Sequence, residues 1–231
     1  MKQTNEIEQS QPASQEKPLP ANEPMLARLA GLLGILALGG LYALLPEDVT
    51  LGPSWLPLAL IVAIMVPMLI VHFVSHPLSH RTTRLLSIIL LCIVTLALAI
   101  GVGLMIYLII TPSSQQLRGG LLLRMAMIFW TANIIVFGLW YWELDGGGPH
   151  QRYMDGHVAA DFMFPQQVDG NSGKWAPLFI DYLFVAFTCA TALSPTDTYP
   201  LSRTAKVLMM IEALIAVANL VILAGRAVNI L

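Results

Sequence analysis

The chain has 231 residues, of which 56% are hydrophobic and 11% charged, with a formal net charge of -2. A soluble domain carries about 25% charged residues, so this composition excludes a globule solvated by water alone. It also leaves no basic patch for nucleic acid. Cys92 and Cys189 both lie in apolar segments, where a thiol is read as a buried packing group rather than half of a disulfide.

Several apolar runs reach the ~20 residues that span a bilayer. The sequence therefore predicts an all-α membrane protein of five transmembrane helices plus a re-entrant, or short sixth, helix. Met1–Pro24 is rich in Gln, Glu, Pro, Ser and Asn and is expected to be a disordered tail. It lacks the basic start of a signal peptide, so the first crossing, at about Met25–Leu45, is expected to be uncleaved. Its Ala27, Gly31 and Gly34 have helical spacing and either let a second helix approach or simply reflect the glycine content of membrane helices.

Pro46–Pro53 is a short turn with Glu47 and Asp48. The second crossing runs over about Ser54–His72, with Pro67 as a kink. His72, His76 and His80 recur every four residues. They are either one metal-binding face or interfacial histidines beside Arg81, with Pro77 opposing a continuous helix. The third and fourth crossings are expected at about Leu85–Ile110 and Leu121–Trp142, the latter closing on Trp140, Tyr141 and Trp142 as an interfacial aromatic belt. Residues 1–24, 25–120 and 121–231 thus form a tail, an N-terminal helical region and a C-terminal region with an extramembrane loop at 143–176.

That loop mixes Glu143, Asp145, Arg152, Asp155, Asp161 and Asp169 with Phe162, Met163 and Phe164, a composition that predicts a folded cap. Gly146–Gly148 has neither the strand before it nor the helix after it that a nucleotide fingerprint needs, and is expected to be a sharp turn. No nucleophile stands beside a base and no carboxylates pair in register, so neither an enzyme nor a cofactor is expected. An enzyme acting in the cap would need a polar pocket there with convergent acids.

Pro177–Ser194 is a short apolar helix, and Ser202–Asn229 the last crossing. Asp181 in the first turn of the short helix suits the helix dipole. Between the two lies a Thr/Ser/Pro turn with one acid, Asp197. Irregular backbone at membrane depth survives only where protein or water covers it. Thr191, Ser194, Thr196 and Asp197 are therefore expected to line a cavity or pore. Glu212, Asn219 and Arg226 are spaced by seven on the last helix. Glu212 and Asn219 either line the same cavity or bond neighbouring helices, and Arg226 snorkels.

Basic residues set a topology. With a cytoplasmic amino terminus and a dipping short helix, Lys17, Arg28, Arg81, Arg84, Arg152, Lys174, Arg203 and Lys206 lie inside, and Arg118, Arg124 and Arg226 outside: eight against three. A fully crossing short helix changes this to seven against four, which favours the dip.

Asp181–Ala224 resembles the pore module of the tetrameric potassium-channel superfamily: pore helix, filter, inner helix. Thr191, Asp197 and Pro200, the Leu183–Phe184 pair and the Glu212–Ile215 run match the family pattern. Ser194 and Thr196 replace the two filter glycines and Pro195 the tyrosine. The resemblance therefore implies a shared fold and small cations, with a degenerate filter in place of the usual potassium-selective one. It also implies a homo-oligomer, since one unit cannot enclose an axis. Filters of that superfamily enter from outside, so either the module here is inverted or one of the two orientations is wrong.

From about residue 85 onward the chain also resembles a family of uncharacterised bacterial polytopic membrane proteins of nearly this length, a domain of unknown function. Asp161-Phe162-Met163-Phe164-Pro165, the helix opening Asp181-Tyr182-Leu183-Phe184, and the Ser202-Arg203 start of the last helix carry that likeness. It implies a multi-pass protein of the bacterial inner membrane. The expected function is ion-channel-like or transport-associated; the alternative is a non-conducting membrane scaffold or envelope protein that keeps the pore fold.

Overall fold

The computed structural model describes residues 39–40, 80–110, 119–191 and 197–230. The expected tail, all of the crossing at 25–45 but residues 39–40, and the crossing at 54–72 lie outside the described residues, as do His72, His76, Arg118, Ser194 and Thr196.

The described chain is mostly helical. Helix α1 spans His80–Ile110, α2 Gly119–Leu144, α3 Pro149–Met154, α4 Phe179–Ala190 and α5 Arg203–Ile230. Three helical stretches are long and apolar enough to cross a membrane: Arg84–Tyr107 in α1, Gly120–Gly147 over α2 and the 3-10 turn that follows it, and Arg203–Ile222 in α5. Helix α1 begins earlier than its apolar run because His80–Arg84 continues the same helix outward from the apolar region.

Helix α2 is the hub. Its spanning window is 56% buried, against 28% for α1 and 22% for α5, and it packs on α1, α4 and α5. The outer faces of the other helices stay apolar and exposed, as at Leu96 of α1 and Leu214 of α5. Among helices that lie in lipid, association depends on close van der Waals packing of small residues. Gly138 meets that need: a Cβ there would lie 3.2 Å from the Leu183 Cα of α4. Ala186 and Ala190 of α4 and Ala216 of α5 are likewise fully or almost fully buried.

The three residues expected to form an aromatic belt are instead turned inward, each toward a different partner. On a helix, consecutive residues are about 100° apart. Trp140 reaches α1, donating from Nε1 to the Thr95 hydroxyl at 2.8 Å. Tyr141 reaches α5, and Trp142 packs edge-on to Phe179 and Tyr182 of α4.

The 145–178 segment is a folded cap, as its composition predicts. A 3-10 turn at Asp145–Gly147 leads into α3, then strand β1 (Phe162–Met163) and a second 3-10 turn at Pro165–Gln167. Gly146, Gly147 and Gly148 all have positive φ (57°, 82° and 98°), a run that residues with a Cβ resist. Strand β1 pairs antiparallel with β2 (Tyr199–Pro200), matching Phe162 with Pro200 and Met163 with Tyr199.

This pairing fixes the course of the last third. Helix α4 starts beside Trp142 and ends beside Trp130, whose Nε1 donates to the Ala190 carbonyl at 3.3 Å. It therefore runs antiparallel to α2, away from the cap. By Tyr199 the chain is back at the cap, and α5 sets off from there.

Candidate functional site

Helices α2, α4 and α5 meet at a polar junction inside an otherwise apolar bundle. Glu212 lies near the middle of the apolar stretch Arg203–Ile222 and is fully buried. The Tyr141 hydroxyl of α2 donates to Glu212 Oε2. Asn133, about two helical turns before Tyr141 on α2 and also fully buried, donates from Nδ2 to the Glu212 main-chain carbonyl at 3.4 Å. The Cys189 thiol of α4 lies against both the Glu212 carboxyl and the Tyr141 hydroxyl.

Among the described residues, three acceptor oxygens in this core have no hydrogen-bond partner: Glu212 Oε1, Asn133 Oδ1 and Asn219 Oδ1. Asn219 is fully buried, and its amide turns back to donate to the Ile215 carbonyl at 3.0 Å. A buried polar atom without a partner costs about 1–3 kcal/mol, so three in one core mark a place that the described residues leave incomplete.

The residues expected to line a pore divide into two groups. Glu212 and Asn219 share the buried face of α5, as their spacing predicts. Thr191 and Asp197 do not join them. Thr191 closes α4, its hydroxyl donating to the Phe187 carbonyl at 2.8 Å and to the Thr188 carbonyl at 3.3 Å. Asp197 is exposed, two residues before the strand that pairs with the cap. Of the other sequence readings, Cys92 is exposed on α1 rather than buried, and both cysteines are free. Asp181 accepts the Leu178 backbone N–H at 2.6 Å, a helix cap with no further role needed.

The cap acids converge on donors from the protein itself. The Asp145 carboxylate accepts the backbone N–H groups of Asp161 (2.9 Å) and Phe162 (3.1 Å) and the Tyr182 hydroxyl (2.5 Å). Asp161 in turn accepts the Gly146 N–H at 3.0 Å. The Arg152 guanidinium lies over the Trp142 ring at 4.7 Å and the Tyr182 ring at 5.0 Å. Its Nη1 donates to the carbonyls of Trp142 (2.7 Å) and Asp145 (2.6 Å). These bonds lock the cap to the end of α2 and the start of α4.

Among the described residues no three His, Cys, Asp or Glu side chains come together as a metal site. An open groove of about 400 Å³ runs along the first half of α2, lined by Gly120, Leu123, Arg124, Met127, Ile128 and Thr131. It touches none of the junction residues.

Sequence reasoning missed Asn133, Tyr141 and Cys189. Asn133 had a usable signal: it stands within the apolar run Ile128–Phe137 where any amide must find a partner. Comparison with family models, with curated proteins and with solved structures finds no match to this chain.

Proposed function

We propose that the chain is a multi-pass protein of the bacterial inner membrane that is channel-like or transport-associated, acts on small cations and works as a homo-oligomer. In this reading five helices cross the bilayer and α4 is re-entrant. The observation that carries it is the course of α4. Twelve residues rise about 18 Å at 1.5 Å each, too short for a hydrocarbon core of about 30 Å. The chain then returns to the cap it left. Arg84, Arg152, Arg203 and Lys206 belong to the cap end and Arg124 to the other, the partition that the dipping topology gives. The likeness to a potassium-channel pore module rests on the same order: short helix, turn, long helix. Two elements supply the selectivity for positive charge: the carboxyl end of α4, with its negative dipole, and the Glu212 carboxyl.

A second reading, a non-conducting scaffold, has its own supporting observation. The last carbonyls of α4 are already taken by Thr191 and Trp130, so they are not free to replace an ion's water.

Reconstitution of the full chain into liposomes separates the two. Conduction or transport requires cation flux from the wild type and its loss in Glu212→Ala. A stable oligomer that passes no ion supports the scaffold.

A further inference from the structure

We infer that the junction between Glu212 and Asn133 is a binding site for one small monovalent metal cation. The inference rests on the cation-pathway reading and gives that reading its substrate class.

The site is defined by what it lacks. Among the described residues, Glu212 Oε1 and Asn133 Oδ1 are buried without a partner, and the two residues touch where the Asn133 amide donates to the Glu212 main-chain carbonyl at 3.4 Å. Both open atoms are acceptors. An occupant that completes them brings donors or positive charge, not a lone pair. The carboxyl itself demands the same. Its described neighbours are Tyr141 and Asn133 of α2 and Cys189 of α4, of which Tyr141 and Cys189 are the titratable groups. None of them is a cation. A carboxyl buried in this way is neutralised by its own proton or by a bound positive charge, and competition by sodium or potassium separates the two.

The donor set chooses monovalent over divalent. Two positive charges on one carboxylate leave a buried site with an unbalanced charge, and calcium sites gather several carboxylate or carbonyl oxygens to avoid this. The junction offers one carboxylate, an amide oxygen and a phenol oxygen, with net charge for a single positive ion. Asn219 lies seven residues further along α5, about 10 Å at 1.5 Å per residue. Its unpartnered Oδ1 is a second stop on the same face, toward the end of the bundle away from the cap.

The test is labelling of the purified full chain with dicyclohexylcarbodiimide, which modifies protonated carboxyls in apolar surroundings, with the adduct located by mass spectrometry. Glu212→Gln serves as the unlabelled control. Sodium or potassium chloride is titrated against choline chloride at constant ionic strength, and the pH is varied separately. If the occupant is a metal ion, the Glu212 adduct disappears as sodium or potassium rises. A fall in labelling as the pH rises reports only that the carboxyl loses its own proton, and without protection by either salt it overturns the site. Asn133→Ala raises the half-protecting salt concentration. Asn133→Ser gives the same readout if the alanine variant does not fold.

A carboxyl that never labels, labelling indifferent to both salts, or a salt dependence unmoved in the Asn133 variants overturns the site. Ion flux without a protectable adduct leaves the transport reading standing and removes this site. A protectable adduct without flux keeps the site and removes transport.

Discussion

The hydroxyl of Tyr141 donates to the carboxyl of Glu212, tying α2 to α5 deep inside the apolar bundle. The two residues are 71 positions apart, and each is fully buried. Removing one partner of such a pair strands the other, whereas replacing both by apolar groups need not destabilise. Tyr141→Phe is therefore expected to lower stability by about 1–3 kcal/mol. The double variant Tyr141→Phe/Glu212→Leu is expected to recover most of that loss while abolishing flux. Thermal unfolding of the four corners of the cycle in detergent checks the coupling; strictly additive losses would mean that the two groups do not interact.

Gly138 sets how closely α4 lies on α2. A Cβ at that position meets the Leu183 backbone at 3.2 Å, and main chain cannot rotate aside as a side chain can. Gly138→Val is expected to cost about 1–3 kcal/mol through overpacking and to withdraw Cys189 from Glu212. Accessibility of the Cys189 thiol to a small maleimide is the readout, and it should rise. Unchanged reactivity and melting temperature would show that the two helices are not held this tightly.

The cap is predicted to fail at Asp145 before anywhere else. One carboxylate there serves two backbone N–H groups and the Tyr182 hydroxyl. Asp145→Ala leaves those donors unpartnered at about 1–3 kcal/mol each, while Tyr182→Phe removes one donor only. Limited proteolysis between Gly156 and Lys174 should therefore accelerate strongly in the first variant and slightly in the second. Equal rates would sink the idea that Asp145 is the hub.

Arg152 is held by its shape as much as by its charge. It stacks between Trp142 and Tyr182 and its Nη1 serves two carbonyls, which a lysine ammonium cannot reproduce. Arg152→Lys is expected to lower the melting temperature almost as much as Arg152→Met. Near-wild-type stability of the lysine variant would show that charge alone suffices.

Asp169 and Tyr199 are both exposed and lie on either side of α4 in sequence. If α4 dips, cysteines at these two positions, in a chain with Cys92 and Cys189 replaced by serine, react with an impermeant maleimide from the same side of the membrane. Reaction from opposite sides makes α4 a sixth crossing, and the proposed pathway loses its hairpin.

Much of this was legible in one dimension. Composition alone separates the chain from soluble proteins. Apolar runs place α1, α2 and α5 within a few residues, because a helix in lipid must be apolar over a fixed length whatever it packs against. The brevity of α4, its Asp181 cap and the glycine turn at 146–148 are local features written in local sequence. The period of seven that puts Glu212 and Asn219 on one face of α5 is also local, since it depends only on the helical repeat. Which face meets which neighbour is not local. Trp140, Tyr141 and Trp142 read as one interfacial belt, yet tertiary packing sends them to three different helices. Asn133 is one amide in an apolar run until α5 brings the Glu212 carbonyl to it. Asp145 is one acid among several until the cap folds its backbone donors onto it. Helical periodicity fixes the angles between side chains of one helix, but the partner of a buried polar group depends on crossing angles and depth between helices, and only the assembled bundle determines those.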